Sequence, residues 1–195
     1  MANHSHLRRA AAPSTVAAMD SKTQARLRAA IRDVPDFPQP GVSFKDITPV
    51  LADPELMHEA IEAMAELSGP QKVDKVVGID ARGFIFGALL AARLGCGFIP
   101  ARKKGKLPWR TRGVDYSLEY GSASMEMHLD AIAPGEKVLL ADDLLATGGT
   151  AGAALKLMRD MEAEVLGSVF FIELGFLHGR ERVEPFGPVR AVVTY

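Results

Sequence analysis

A single cysteine, Cys96, stands among 195 residues, which excludes an internal disulfide framework and is compatible with a reducing compartment. It lies in Leu-Gly-Cys-Gly-Phe, where a small buried filler is expected rather than a nucleophile. Basic charge is not in excess either. A formal net charge of −1 gives no electrostatic case for a nucleic acid or an anionic membrane as partner. No apolar run reaches the length of a membrane helix, no internal repeat is found, and the first residues lack the apolar core of a secretory signal. What remains is the composition of a soluble globular protein, 48% hydrophobic and 24% charged. The length suits one domain that buries most of its apolar surface.

Residues 1–19 stand apart: they carry Arg8 and Arg9 and hold no acid. A basic, acid-free stretch suits an organelle transit peptide. The blander expectation is a disordered extension, or added residues ahead of a natural start at Met19. His4 and His6 are too few to argue for a metal site. The domain is expected to occupy residues 20–195.

What is present centres on residues 138–150, Val-Leu-Leu-Ala-Asp-Asp-Leu-Leu-Ala-Thr-Gly-Gly-Thr. Val138 to Ala141 reads as a short buried parallel strand, with Asp142 and Asp143 where it ends. A small-residue turn, Ala146 to Thr150, leads into a helical pattern from about Ala151 to Met161. In open α/β sheets ligands bind beyond the carboxyl ends of the strands, and a helix start offers free N–H groups to a phosphate. Gly148 and Gly149 let the backbone approach that phosphate, and Thr147 and Thr150 add hydroxyls. A branched side chain at Gly148 is therefore expected to block phosphate binding and leave the fold largely intact. The alternatives fit worse. No lysine occurs between Lys137 and Lys156, as a Walker loop would need, and the glycine spacing 148, 149, 152 is not Gly-x-Gly-x-x-Gly.

In chain order, Ser21 and Gln24 form a candidate capping box for a first helix. Pro35 to Gly41 forces an extended loop, and residues 42–49 follow without a clear period. Asp53-Pro54 starts a helix, Val73 to Ile79 is a strand, Asp80 to Gly83 a turn, and Phe84 to Leu94 a helix. Gly97 to Ala101 is a further strand, followed by the basic residues Arg102, Lys103, Lys104 and Lys106. Residues 102–115 look long for a connector, as a lid would be. Residues 116–121 and 123–128 read as a two-stranded flap. A buried strand at 164–173, a turn and helix around Gly179 and a strand at 189–195 complete the chain. Strands alternating with helices predict an α/β fold with a doubly wound, mainly parallel sheet.

Four stretches in this order resemble the type I phosphoribosyltransferases, and within them the adenine-specific family. They are Phe37 to Asp46, Gly78 to Gly87, Arg102 to Pro108 with Tyr116 to Gly121, and Val138 to Thr150. The resemblance runs from about residue 21 almost to the end. It implies a small hood and a flexible flap at about 102–128. It also implies transfer of the 5-phosphoribosyl group of 5-phosphoribosyl-1-diphosphate (PRPP) to N9 of adenine, giving AMP and diphosphate. By that resemblance Ala146, Thr147, Gly148, Gly149 and Thr150 hold the 5-phosphate, and Asp142 and Asp143 the ribose hydroxyls. Asp80, Ala81 and Arg82 form the diphosphate loop, where the family often has a non-proline cis peptide. Arg82, Arg102, Lys103 and Lys106 offer charge to the diphosphate.

Adenine stacks on Phe44 with Leu174 on its other face, and backbone groups at Ser43 and Lys45 read its edge. Glu119, beside Tyr120 in the flap, takes a proton from N7. Mg²⁺ arrives bound to PRPP, with no direct protein ligand. The family further implies a cytoplasmic homodimer that uses neither nucleic acid nor membrane. Two rivals accompany this reading: a PRPP-sensing regulator on the same fold, and a transferase for another base.

Overall fold

The computed structural model describes residues 20–118 and 121–195. Helix α1, Ser21–Ala30, opens on Asp20, whose carboxylate accepts from the Lys22 N–H at 3.2 Å. The cap is thus one residue earlier than the expected Ser21 box. Gln24 is free for a longer reach, and its Nε2 donates to the Val192 carbonyl at 2.8 Å. Strands β1, Arg32–Val34, and β2, Phe44–Asp46, pair antiparallel as a separate ribbon, the hood, around the Pro-rich loop. Next comes α2, Thr48–Ala52, with the Asp46 carboxylate accepting from the Thr48 N–H and hydroxyl, each at 2.9 Å. Elements this short cannot establish a hydrophobic period, so 42–49 looked featureless in sequence.

Helix α3, Pro54–Leu67, is capped by Asp53 as expected. There follow β3, Lys75–Ile79; α4, Gly83–Leu94; β4, Gly97–Lys103; β5, Thr111–Leu118; β6, Gly121–His128; β7, Lys137–Leu145; α5, Gly149–Asp160; and β8, Glu164–Glu173. A 3₁₀ turn at Gly175–Leu177, α6 at Arg180–Val183 and β9 at Val189–Thr194 close the chain. The sheet order is β5-β6-β4-β3-β7-β8-β9, with β4, β3, β7, β8 and β9 parallel and the β5–β6 edge antiparallel. This is the doubly wound, mainly parallel sheet that the sequence predicted.

The central strands serve two cores because side chains alternate across the sheet. Leu139 and Phe171 pack into the cluster with Met64 and Phe86. Their neighbours Leu140 and Phe170 pack into the other, with Leu155 and Met158 of α5. Two expectations need correction. Strand β7 does not end at Ala141; it continues through the acid pair, with Asp142 opposite Phe170 and Leu145 opposite Glu173. Backbone pairing with β8 is indifferent to the side chains, so a polar pair does not terminate it. The connector after β4 is also shorter than 102–115: Arg102 and Lys103 already pair with Glu126 and Met125, and β5 begins at Thr111. Among the described residues no helix is long and apolar enough to cross a membrane.

Candidate active site

From β3 the chain crosses through α4 to β4 on one side, and from the adjacent β7 it crosses through α5 to β8 on the other. Ligand crevices form where connections diverge in this way. A cleft of about 330 Å³ opens there, lined by Ile79 to Arg82 from the end of β3 and Asp142 to Ala151 from β7 and the turn after it. The structure therefore brings the expected diphosphate loop, acid pair and phosphate cradle into one cleft. The Asp80–Ala81 peptide is cis, as the resemblance implied.

Asp142 and Asp143 are both buried. Oδ1 of Asp142 accepts from the Asp143 N–H at 2.9 Å, and the absence of a side chain at Gly83 leaves room for this carboxylate. Burial first, and then the neighbouring Asp143 charge, push the Asp142 carboxyl well above the ordinary carboxylate range. Burial raises Asp143 as well, opposed by the Arg82 guanidinium. Arg82 Nε lies 2.8 Å from Oδ2 of Asp143, but its N–H is not aimed along that line, so the oxygen's hydrogen-bonding capacity is unfilled.

A carboxyl raised on folding is destabilising once ionised. The native state holds the proton longer than the unfolded chain, so stability is lost as pH rises from about 4 through the folded-state value. Asp142→Asn is therefore expected to raise the melting temperature of the ligand-free protein at pH 8, and the gain should shrink as pH falls towards 4. Each kcal/mol corresponds to about 2–4 °C in a domain of this size. Equal melting temperatures at pH 8 in calorimetry would contradict a costly buried charge.

The cradle is built differently from the expectation. Gly148 has φ of 77°, as the residue before the first turn of α5, and a Cβ there would run into the carbonyl of Gly179. Gly179 in turn leaves no room for a Cβ beside the Ala146 carbonyl. The glycine at 148 thus serves packing behind the loop as well as any phosphate in front of it.

The other predicted site residues that the structure describes lie outside this cleft. Arg102 Nε meets Asp80 at 2.9 Å, and its Nη1 donates to the Lys106 carbonyl at 3.0 Å. Lys103, the last residue of β4, and Lys106, on the turn after it, are exposed. Phe44 is half-buried, with Phe37 edge-on at 5.1 Å and the Arg82 guanidinium 5.1 Å from its ring centre. Ser43 is exposed, and Lys45 pairs with Asp33 across the ribbon. Leu174 is buried in the core cluster with Ile31 and Ile47. Glu119, Tyr120 and residues 1–19 lie outside the described residues. Cys96 packs against that same core cluster, and burial pushes its thiol upward, as a filler should behave. Sequence reasoning missed Gly83 and Gly179, because a glycine needed for packing carries no local mark.

The cleft thus joins the ends of two parallel strands, a buried acid pair and a glycine-rich turn at a helix start. The family profile of the phosphoribosyl transferase domain matches residues 47–187. An adenine phosphoribosyltransferase of Nitrosococcus oceani is 54% identical over 170 residues, covering 87% of this chain and 99% of that protein. One from Anaeromyxobacter dehalogenans is 55% identical over 157 residues, covering 80% and 91%. Among solved structures, the adenine phosphoribosyltransferase of Rhodothermus marinus superposes with a TM-score of 0.86 at 52% identity, covering 90% of this chain and 100% of its own. That of Saccharomyces cerevisiae, complexed with an imino-altritol bisphosphate and adenine, gives 0.83 at 39% identity, covering 88% and 98%. The chain belongs to the adenine phosphoribosyltransferase family of phosphoribosyltransferases.

Proposed function

We propose that this chain transfers the 5-phosphoribosyl group of PRPP to N9 of adenine, giving AMP and diphosphate in purine salvage. The observation that carries this reading is the cleft at the divergence of β3 and β7, where cradle, acid pair and the turn Asp80 to Arg82 meet. Ala146 to Thr150 hold the 5-phosphate at the start of α5. Asp142 and Asp143 accept hydrogen bonds from the ribose hydroxyls, which supply the partner that Oδ2 of Asp143 lacks. Positive charge developing on the ribose ring is stabilised by the same two carboxylates.

Arg82 lies over the ring of Phe44, which is where a base would stack. Guanidinium and purine compete for that face, so Arg82 turns towards the departing diphosphate as adenine enters. Arg102, Lys103 and Lys106 add charge from the end of β4 and the turn after it. Leu174 lies on the other side of the base. Mg²⁺ would arrive on PRPP, since it typically keeps waters and uses substrate oxygens. When bound, that Mg²⁺ would offset negative charge on the diphosphate. A cytoplasmic homodimer completes the reading. Its test is PRPP consumption with each purine in turn; turnover with no purine, or PRPP binding without turnover, rejects it.

Glu119 takes the N7 proton as the N9–C bond forms. Adenine protonated at N7 has a free lone pair on N9, and N7–H becomes acidic once that pair is shared. An ordinary glutamate, with pKa about 4.3, is ionised and ready at neutral pH. General-base help is worth ~10²–10⁴-fold, so Glu119→Leu is expected to lose about that much forward kcat, with little change in PRPP affinity. Glu119→Gln loses less, because its amide oxygen still accepts from N7–H. Single-turnover rates within a few-fold of wild type would show that Glu119 is not the acceptor.

A further inference from the structure

We propose that Glu173 and Arg180 are positioning residues that clamp the turn between them, so that the base wall and the phosphate cradle keep one fixed register; this rests on the function proposed above. Glu173, the last residue of β8, is only 5% exposed. Its two oxygens accept from Arg180 Nε at 2.9 Å and Nη2 at 2.6 Å, a two-pronged pair. Arg180 Nη1 adds a third bond, to the Val189 carbonyl at 2.7 Å, and Glu184 stands 3.6 Å away. The turn that leaves this carboxylate and returns to it therefore has both ends tied to the same point.

What that turn touches gives the clamp its meaning. Its first residue, Leu174, donates its N–H to the Leu145 carbonyl at 2.9 Å, and Leu145 directly precedes the cradle. Its last residue before Arg180 is Gly179, which lies against the backbone of Ala146 and Gly148 too closely for any Cβ. One turn thus carries the residue proposed to face the base and the back support of the loop proposed to hold the 5-phosphate. Moving it would shift both substrates relative to each other. An ion pair with one partner buried and the other half-buried is poor evidence of stabilisation, since replacing both partners with apolar groups is often neutral. Its two-pronged geometry fixes direction as well as distance, and that is what a positioning element needs.

The test compares Arg180→Met, Glu173→Gln and the double variant Glu173→Met/Arg180→Met by calorimetry and by steady-state kinetics, with wild type in the same assay. Wild-type turnover with adenine checks the underlying reading independently of the clamp. Arg180→Met should melt lowest, because it strands a buried carboxylate. The double variant is expected to regain most of the melting temperature yet remain ~10²-fold low in kcat/KM, with KM raised for both PRPP and adenine. Glu173→Gln, which keeps one acceptor oxygen, should melt near wild type and show a smaller defect of the same kind. If kcat/KM instead recovers with the melting temperature in the double variant, or Glu173→Gln folds and is kinetically indistinguishable from wild type, the pair is only structural.

Discussion

Adenine is expected to exceed hypoxanthine by about 10⁴-fold or more in kcat/KM, the discrimination that a site built to hydrogen-bond one group achieves against its analogue. The physical ground is the hood. Among the described residues strand β2 pairs with β1 alone, so its second edge offers backbone N–H and C=O groups. Adenine offers an amino donor at position 6 and an acceptor at N1. Hypoxanthine offers the reverse, an oxygen at position 6 and a proton on N1. A backbone edge around Ser43 and Lys45 that pairs with the first leaves both of its groups unsatisfied with the second, and each unmade buried bond costs about 1–3 kcal/mol. The Lys45 side chain is engaged by Asp33 and the face of Tyr195, so base recognition at this position would fall to its backbone. Steady-state rates with the two bases at one PRPP concentration check this. Comparable values would remove the adenine assignment while leaving the PRPP cleft untouched.

Gly148→Val is expected to abolish measurable PRPP binding and to lower the melting temperature as well. From the sequence the second effect was not anticipated, since the glycine was read as serving the ligand alone. In the structure, φ of 77° at Gly148 resists a branched side chain, and its Cβ would meet the carbonyl of Gly179. Both partners are backbone, so neither can swing aside as a flexible side chain would. The loop must shift. Strain of this kind typically costs about 1–3 kcal/mol. That corresponds to several degrees at the ~2–4 °C per kcal/mol of a domain this size. Calorimetry with PRPP and Mg²⁺ reads the first effect and a thermal scan the second. Undiminished affinity in a folded variant would remove the loop from the site, and an unchanged melting temperature would show that the close approach to Gly179 is not maintained in solution.

Much of this protein was legible in its sequence because the decisive signals are local. Alternating strands and helices required a doubly wound sheet. Asp53-Pro54 marked a helix start through the bonds an N-cap must make, and Val138 to Thr150 carried strand, acid pair and cradle within thirteen residues. What the sequence left undetermined depends on chain segments far apart. Asp142 and Asp143 are costly to ionise because folding buries both, Asp142 against Gly83 at the start of α4. Arg82 spans Phe44 and Asp143 only because the hood folds over the end of β3. Gly148 needs its lack of a side chain because a turn thirty residues later packs behind it. Short-range pattern determines which elements form and where a phosphate can sit. Burial, counter-charges and close backbone approaches are properties of neighbours in space, and only the tertiary structure decided them.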